Sequence, residues 1–260
     1  MKTLILCAAS TLALSAIAGG AVAADASKAN VYRDFSDTVA PANQDAYEAG
    51  VKAYNECLKQ HGSKYTWTAW NHETGNVYKY SYVAGPYTWA DFDTMRTTGK
   101  ACDATWRKMA NPHLKGEISA FMVEQADMSY MPDGGANQAP PAYIDVVYFY
   151  VKPGHQAHEA FSSAVKKIAA GAVKSKWSGH FSTSELNYGD DGAPDYLVVL
   201  PNKNWADVGM ETNPTLWKMM EGVYGKTEAA AIRKSLNDSI EKSSSHIDSY
   251  NEELTYNGAK

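Results

Sequence analysis

Two histidines three residues apart, His155 and His158, stand in the sequence HQAHE directly after a Pro-Gly turn. In a helix, side chains at i and i+3 share a face, so two imidazoles there can bind a transition metal with a third ligand. His180 and His246 are candidates for that ligand, but no spacing selects either one. The pattern leaves a metal site and a pair of solvated histidines both open, and we assign no metal ligand from it.

Other motifs that carry chemistry are missing from the sequence. There is no Gly-x-Ser-x-Gly elbow for nucleophilic catalysis. The stretches DGGANQ and GDDGAP lack the lysine and the following helix of a phosphate loop. Asp190, Asp191 and Asp195 lack the glutamate that completes a calcium loop, so a plain turn is the better interpretation.

The first 24 residues have the pattern of a secretory signal peptide. Lys2 precedes an apolar run from Leu4 to about Ala18, and small residues follow before Asp25. The run is shorter than the roughly 20 residues that span a bilayer. We therefore predict a periplasmic or secreted protein without a membrane span.

Two cysteines, Cys57 and Cys102, follow the signal peptide. An oxidising compartment favours their pairing in a disulfide over two free thiols. The formal net charge is −5, and such a mildly acidic balance argues against nucleic acid as a partner.

The pattern of elements divides the chain in two. A stretch rich in glycine and proline, residues 132–142, separates residues 25–131 from residues 143–260. On each side the periodicity predicts a strand, a helix, a hairpin, a helix and a strand, and the first half is predicted to close with a strand over 119–131. The tripeptide Trp-Ala-Asp occurs at 89–91 and again at 205–207, before the second helix of each half. We predict an α+β fold of two tandem ferredoxin-like β-α-β-β-α-β units.

The segment VYFYVKPGHQAHEAFSSAV, residues 147–165, resembles the opening strand and helix of the dimeric α+β barrel proteins. That superfamily includes the antibiotic-biosynthesis monooxygenase-like, NIPSNAP-like and EthD-like families. The first half carries a fainter version, DTVAPANQDAYEAGV, with Ala42 where glycine is usual. The resemblance implies a barrel around a cavity, here as a pseudo-dimer within one chain that is a monomer.

Some members of this superfamily bind haem, and the resemblance implies which residues a haem site would need. The resemblance places a histidine on the second helix of the unit, and neither predicted helix contains one. The chlorite-decomposing branch needs a distal arginine in the second half, where Arg233 is the one arginine and lies in an inserted stretch. We therefore predict no cofactor.

Aromatic side chains are the most abundant candidates for ligand contacts, with 17 Tyr and 7 Trp in the chain. Aromatic rings with polar tips suit an apolar ligand that has one or two hydrogen-bonding groups, although most such rings fill cores. The predicted binding residues in the inter-sheet cavity are Tyr65, Trp67, Tyr148, Tyr150 and His180. We expect an exported small-molecule-binding protein. The alternatives are a cofactor-independent oxygenase or isomerase in the same cavity and a structural envelope protein.

Overall fold

The chain folds into a closed barrel of eight β-strands with α-helices packed on its outside. The computed structural model describes residues 28–132 and 139–258. The predicted signal peptide, residues 1–24, and residues 133–138 of the predicted linker lie outside these ranges. In the described ranges no helix is long and apolar enough to cross a membrane.

Each half contains four strands and at least three helices. The first half runs β1 (Val31–Val39), α1 (Gln44–Gln60), β2 (Trp67–His72), β3 (Lys79–Tyr87), α2 (Asp91–Gly99), α3 (Asp103–Met109) and β4 (Leu114–Glu124). The second half runs β5 (Tyr143–Val151), α4 (His155–Ser175), β6 (Ser182–Tyr188), β7 (Tyr196–Asn202), α5 (Trp205–Val208), α6 (Leu216–Tyr224), α7 (Lys226–Ser239) and β8 (Ile240–Tyr256).

All neighbouring strands of the barrel are antiparallel. The order is β4-β1-β3-β2 in the first half and β8-β5-β7-β6 in the second. Pairing of β2 with β8 and of β6 with β4 closes the barrel. The predicted α+β barrel architecture is thereby confirmed.

Two local predictions were wrong. The second helix of the first half is broken by a 3-10 turn, Lys100–Cys102, which follows Gly99. The strand expected over 119–131 is instead β4, Leu114–Glu124. Pairing with β1 along the length of β4 satisfies its backbone even at the polar LKGE segment, so tertiary contacts override local propensity there.

Three hydrophobic clusters hold the molecule together. One lies between α1 and the outer face of the first-half sheet, and a second lies between α4, α6, α7 and the second-half sheet. The third consists of strand residues alone and centres on Trp70, Ile144 and Val146. Because this cluster joins β2 to β5 without any helix, it marks the barrel interior.

The disulfide between Cys57 and Cys102 is confirmed, with a Cα–Cα distance of 5.9 Å. It ties the last turn of α1 to the turn between α2 and α3. The same helices meet closely at Gly50, where an added Cβ would lie 2.2 Å from the backbone oxygen of Met109. Glycine is therefore required at that crossing, because any side chain would meet backbone atoms.

The aspartate of the repeated Trp-Ala-Asp makes a similar hydrogen bond at both sites. The Asp91 carboxylate accepts a 2.8 Å hydrogen bond from the Thr88 backbone N–H, and Asp207 accepts one of 3.1 Å from Lys203 N–H. Each carboxylate thus reaches back to the residues before its helix, where it also faces the positive end of the helix dipole.

Candidate functional site

A cavity of about 660 Å³ lies between the outer face of the first-half sheet and helices α1, α2 and α3. We call it the aromatic pocket. Aromatic side chains from both helices and strands form much of its wall: Phe35, Tyr54, Tyr65, Trp67, Tyr82, Phe92, Trp106 and Phe121. Its volume falls within the ~300–1,000 Å³ typical of small-molecule sites.

The wall of the aromatic pocket is a connected set of rings. Tyr54 on α1 stacks on Trp67 with centroids 6.1 Å apart and meets Trp106 on α3 edge-on at 5.2 Å. The Arg33 guanidinium lies 4.3 Å from the centroid of Phe35 and 5.1 Å from that of Phe121. These contacts fix the rings in place, so the pocket is formed before any ligand enters.

Asp37 is a buried carboxyl group in the wall of the aromatic pocket. Its side chain is 1% exposed, and one oxygen accepts a hydrogen bond from the Tyr47 hydroxyl. The other oxygen, Oδ1, has no hydrogen-bond partner among the described residues. Burial raises the pKa of Asp37 to about 7, and the Glu117 carboxylate acts in the same direction, whereas the Tyr47 hydrogen bond opposes the shift.

A second cavity, of about 430 Å³, opens into one end of the barrel interior. Its wall combines Tyr148 and Tyr150 of β5 with polar groups from several strands, including Asp34, His72, Lys79 and His246. Period-2 alternation explains the arrangement, because every second side chain of a barrel strand points inward.

Two histidines and a carboxylate meet beside this second cavity. His72 of β2 is the register partner of Asp248 on β8, across the strand pair that joins the two halves. His72 Nε2 lies 3.8 Å from Asp248 Oδ1, and His246 Nε2 lies 3.2 Å from the same carboxylate. The two imidazole rings stack with centroids 4.3 Å apart. We call His72, His246 and Asp248 the barrel triad.

Burial changes the ionisation of groups around the triad. It lowers the pKa of His72 to about 4 although the Asp248 charge acts in the opposite direction, so the ring is neutral near pH 7. It also raises the pKa of Asp34 to about 7, with the negative charge of Asp248 adding to the effect. The Tyr148 hydroxyl, whose ring lies 5.3 Å from that of His246, has a pKa raised by burial. The barrel interior therefore places the neutral imidazole of His72, the Asp34 carboxyl group and the Tyr148 hydroxyl close together.

The structure separates the five predicted binding residues. Tyr65 and Trp67 line the aromatic pocket on the helix side of the sheet, whereas Tyr148 and Tyr150 line the barrel interior. His180 lies at neither cavity, and its Nε2 is 3.0 Å from the Pro201 carbonyl oxygen. The prediction that all five residues line a single inter-sheet cavity was wrong. Period-2 alternation determines which side chains of a strand share a face, but it does not determine which face of the sheet α1 covers. Their roles in ligand binding stay predictions.

His155 and His158 of the HQAHE segment contact two different carboxylates and share no partner. His155 Nε2 is 3.1 Å from Glu159 Oε1 on the same helix, and both side chains are largely exposed. His158 Nε2 is 3.7 Å from Asp195 Oδ1. Within the described ranges, neither histidine belongs to a group of three possible metal ligands.

Sequence reasoning did not find the barrel triad, although a signal for part of it exists. His246 and Asp248 stand two residues apart in a strand, a spacing that puts both on one face. His72 is brought to them by the pairing of β2 with β8, between distant parts of the chain. Another possible ligand group, Cys57, His61 and Cys102, has both sulfurs in the disulfide.

Comparison with known proteins identifies the fold. No protein-family model matches the sequence, and no curated protein matches it. Among solved structures, a putative monooxygenase from Lactobacillus acidophilus is 9% identical at a TM-score of 0.52, over 90% of this chain and 99% of that one. The chain has the dimeric α+β barrel fold.

Two further structures agree with this assignment. An anthrone oxidase-like protein is 9% identical at a TM-score of 0.55, over 87% of this chain and 93% of that chain. A chlorite dismutase variant from Candidatus Nitrospira defluvii, in complex with cyanide, is 11% identical at a TM-score of 0.51, over 86% and 92% of the two chains. Identities this low show the fold alone, because one fold supports many chemistries.

Proposed function

We propose that this protein binds a small aromatic or apolar molecule in the aromatic pocket of its first half. The observation that carries the proposal is the preformed, ring-lined cavity of about 660 Å³ with the buried Asp37 in its wall. Apolar walls with a few fixed polar groups are the usual form of a small-molecule site.

The polar groups of the pocket indicate what else the ligand carries. Asp37 lines the pocket, and its buried Oδ1 has no hydrogen-bond donor among the described residues. The nearby Glu117 carboxyl further raises the pKa of Asp37, and a buried carboxylate without a donor is destabilising. A ligand hydroxyl or amide N–H that reached Asp37 would remove this cost. We therefore propose an aromatic ligand with at least one hydrogen-bond donor.

The proposal is tested with 1-anilinonaphthalene-8-sulfonate, an aromatic probe with an N–H donor whose fluorescence rises on burial. Gly99 lines the pocket, and a Cβ added there would lie 4.0 Å from the Tyr54 hydroxyl, its nearest neighbour. Gly99→Leu therefore fills the cavity without meeting backbone. Gly222→Leu is the matched control, because a Cβ on that α6 glycine meets nothing within 4 Å.

The expected result is saturable binding by the wild type and by Gly222→Leu, and affinity at least about tenfold weaker in Gly99→Leu, equivalent to ~1.4 kcal/mol. Near-UV circular dichroism of each variant checks that the fold is retained. Binding that is equal in all three proteins, or absent from the wild type, would contradict the proposal.

We further infer that the chain is a tandem duplication that is exported and acts as a monomer. The matching strand orders, β4-β1-β3-β2 and β8-β5-β7-β6, support the duplication, and the Cys57–Cys102 disulfide supports an oxidising compartment. N-terminal sequencing of the native protein should begin near Asp25, and sedimentation should give the monomer mass. An intact Met1, a dimer, or two halves whose strands fail to superpose in a crystal structure would each contradict the corresponding inference.

A second candidate function is an enzyme in the barrel interior, and Asp34 is the observation that favours it. A carboxyl with a pKa of about 7 inside a cavity is suited to general acid-base catalysis near neutral pH. The probe is anthrone, which gives anthraquinone and one water for each O₂ consumed. Oxygen uptake faster than the spontaneous rate, and lost in Asp34→Asn, is the expected result for this candidate. Uptake equal to that without protein would contradict an anthrone-oxidising activity.

A further inference from the structure

We propose that the barrel triad is a binding site for a divalent first-row transition metal, held by His72, His246 and Asp248. This site lies in the barrel interior, so the inference does not rest on the aromatic pocket. It also departs from the prediction of no cofactor.

The geometry of the triad is close to that of a bound metal. One ligand atom from each of the three residues lies within 4.8 Å of the other two. Donor atoms about 2.1 Å from a metal lie roughly 3.0–3.4 Å from one another. His246 Nε2 and Asp248 Oδ1 are already 3.2 Å apart, and His72 Nε2 is 3.8 Å from the same oxygen. To complete the arrangement, the distance from His72 Nε2 to Asp248 Oδ1 must shorten by about 0.4 Å. The stacked imidazoles must also tilt so that both Nε2 atoms point at one ion.

The charge balance of the site favours a cation. Asp248 is 2% exposed, and its Oδ1 has no hydrogen-bond partner in the described ranges. Asp34 nearby has an oxygen in the same condition. Lys79 lines the same cavity and its charge opposes a cation, whereas the carboxyl groups of Asp34 and Asp248 favour one. His246 Nε2 is the hydrogen-bond partner of Asp248 Oδ2, and a metal would add a charged partner for Oδ1.

A metal ion can replace a hydrogen bond that the triad now makes. His72 Nε2 lies 3.0 Å from Ser81 Oγ, a neutral contact that a metal would replace. Binding of a metal through His72 Nε2 requires the neutral tautomer that carries its proton on Nδ1. The neighbouring cavity leaves room for water or a substrate beside the metal.

The donor set narrows the choice of metal. Two imidazoles and a carboxylate suit Zn²⁺, Fe²⁺, Co²⁺ or Mn²⁺, whereas Mg²⁺ and Ca²⁺ prefer oxygen ligands alone. Two histidines and one carboxylate with open positions also form the facial arrangement of non-haem iron sites. We infer a site that keeps at least one position free for a small molecule.

The experiment uses the untagged protein after removal of metal with EDTA, titrated with Co²⁺ and followed by visible absorption. Asp248→Asn removes the charged ligand at nearly constant shape. His155→Gln removes an exposed histidine outside the triad and is the matched control. We expect one Co²⁺ per chain, displaced by Zn²⁺, with unchanged affinity in His155→Gln. The affinity of Asp248→Asn should fall more than about 100-fold, beyond the loss typical of outer-shell partners.

Two readouts separate a metal ligand from a structural residue. In EDTA the Tm of Asp248→Asn should stay close to or above that of the wild type, because asparagine keeps an oxygen that can accept from His246 and removes a buried carboxylate. The proton NMR spectrum of the Co²⁺-loaded wild type should show shifted N–H signals from two imidazoles, a result that needs no variant. Absence of stoichiometric Co²⁺ and Zn²⁺ binding, equal affinity in Asp248→Asn and His155→Gln, or fewer than two shifted imidazole signals would overturn the proposal.

Discussion

The imidazole rings of His72 and His246 stack at 4.3 Å between centroids, although they come from opposite halves of the chain. His72 ends β2 and His246 lies within β8, and these strands form one of the two seams that close the barrel. The contact exists only when the two halves are joined. Any spectroscopic signal from these rings therefore reports closure of the barrel as well as the state of the site.

Acidity should stabilise the protein through Asp37. Its pKa is raised in the folded state from 3.8 to about 7, so between these values the folded state binds more protons than the unfolded state. The free energy of unfolding should then fall as pH rises from about 4 to about 7, by about 1.4 kcal/mol for each pH unit in this window and a few kcal/mol at most. Urea unfolding at pH 4.5 and pH 7.5 measures the change.

Asp37→Asn is the control for this pH dependence. Tyr47 of α1, Glu117 of β4 and Asp34 of the same strand act on the Asp37 carboxyl. Asp34 has a raised pKa of its own and adds a change of the same sign. The variant should therefore lose part of the pH dependence and keep the rest. An identical difference between the two pH values in both proteins would contradict a raised pKa at Asp37.

The crossing of α1 and α3 should not tolerate a methyl group. A Cβ at Gly50 would lie 2.2 Å from the Met109 carbonyl oxygen, so Gly50→Ala must move one helix and should destabilise the fold by ~1–3 kcal/mol. Gly222→Ala places the same methyl in open space on α6 and should stabilise by ~0.5–1 kcal/mol. Thermal unfolding of both variants beside the wild type tests the pair. A Tm for Gly50→Ala at or above that of Gly222→Ala would contradict the close approach.

The order of elements could be predicted from the sequence because it depends on local periodicity. The 3.6-residue pattern of α1 and α4, and the alternation in the β2–β3 hairpin, are visible in a few residues each. The pairing of Cys57 with Cys102 was predicted from the oxidising compartment that the predicted signal peptide implies.

The sites could not be predicted to the same extent because they depend on contacts between distant segments. Trp67 and Trp70 differ by three positions on one strand and therefore face opposite sides, one toward α1 and one into the barrel. Which side is covered is decided by helix packing. His72 meets Asp248 only through the register of the seam between β2 and β8, which no local pattern encodes.

Loss of the disulfide should weaken both the fold and the aromatic pocket. Cys57 and Cys102 are separated by 45 positions, and a cross-link over such a loop typically stabilises by ~2–4 kcal/mol. The double variant Cys57→Ser, Cys102→Ser should lose that amount in urea unfolding. It should also bind the naphthalene probe more weakly, because α2 and α3 are no longer tied to α1. Dithiothreitol should destabilise the wild type and leave the double variant unchanged; equal stability of the two proteins without reductant would contradict this role.

Binding of a small aromatic ligand in the aromatic pocket is best tested by a crystal structure of the protein grown with 1-anilinonaphthalene-8-sulfonate. We predict electron density for the probe between the first-half sheet and helices α1 to α3, against Trp67 and Trp106 and within reach of Asp37. Density for the probe elsewhere in the molecule, with this pocket free of it, would contradict ligand binding at this site.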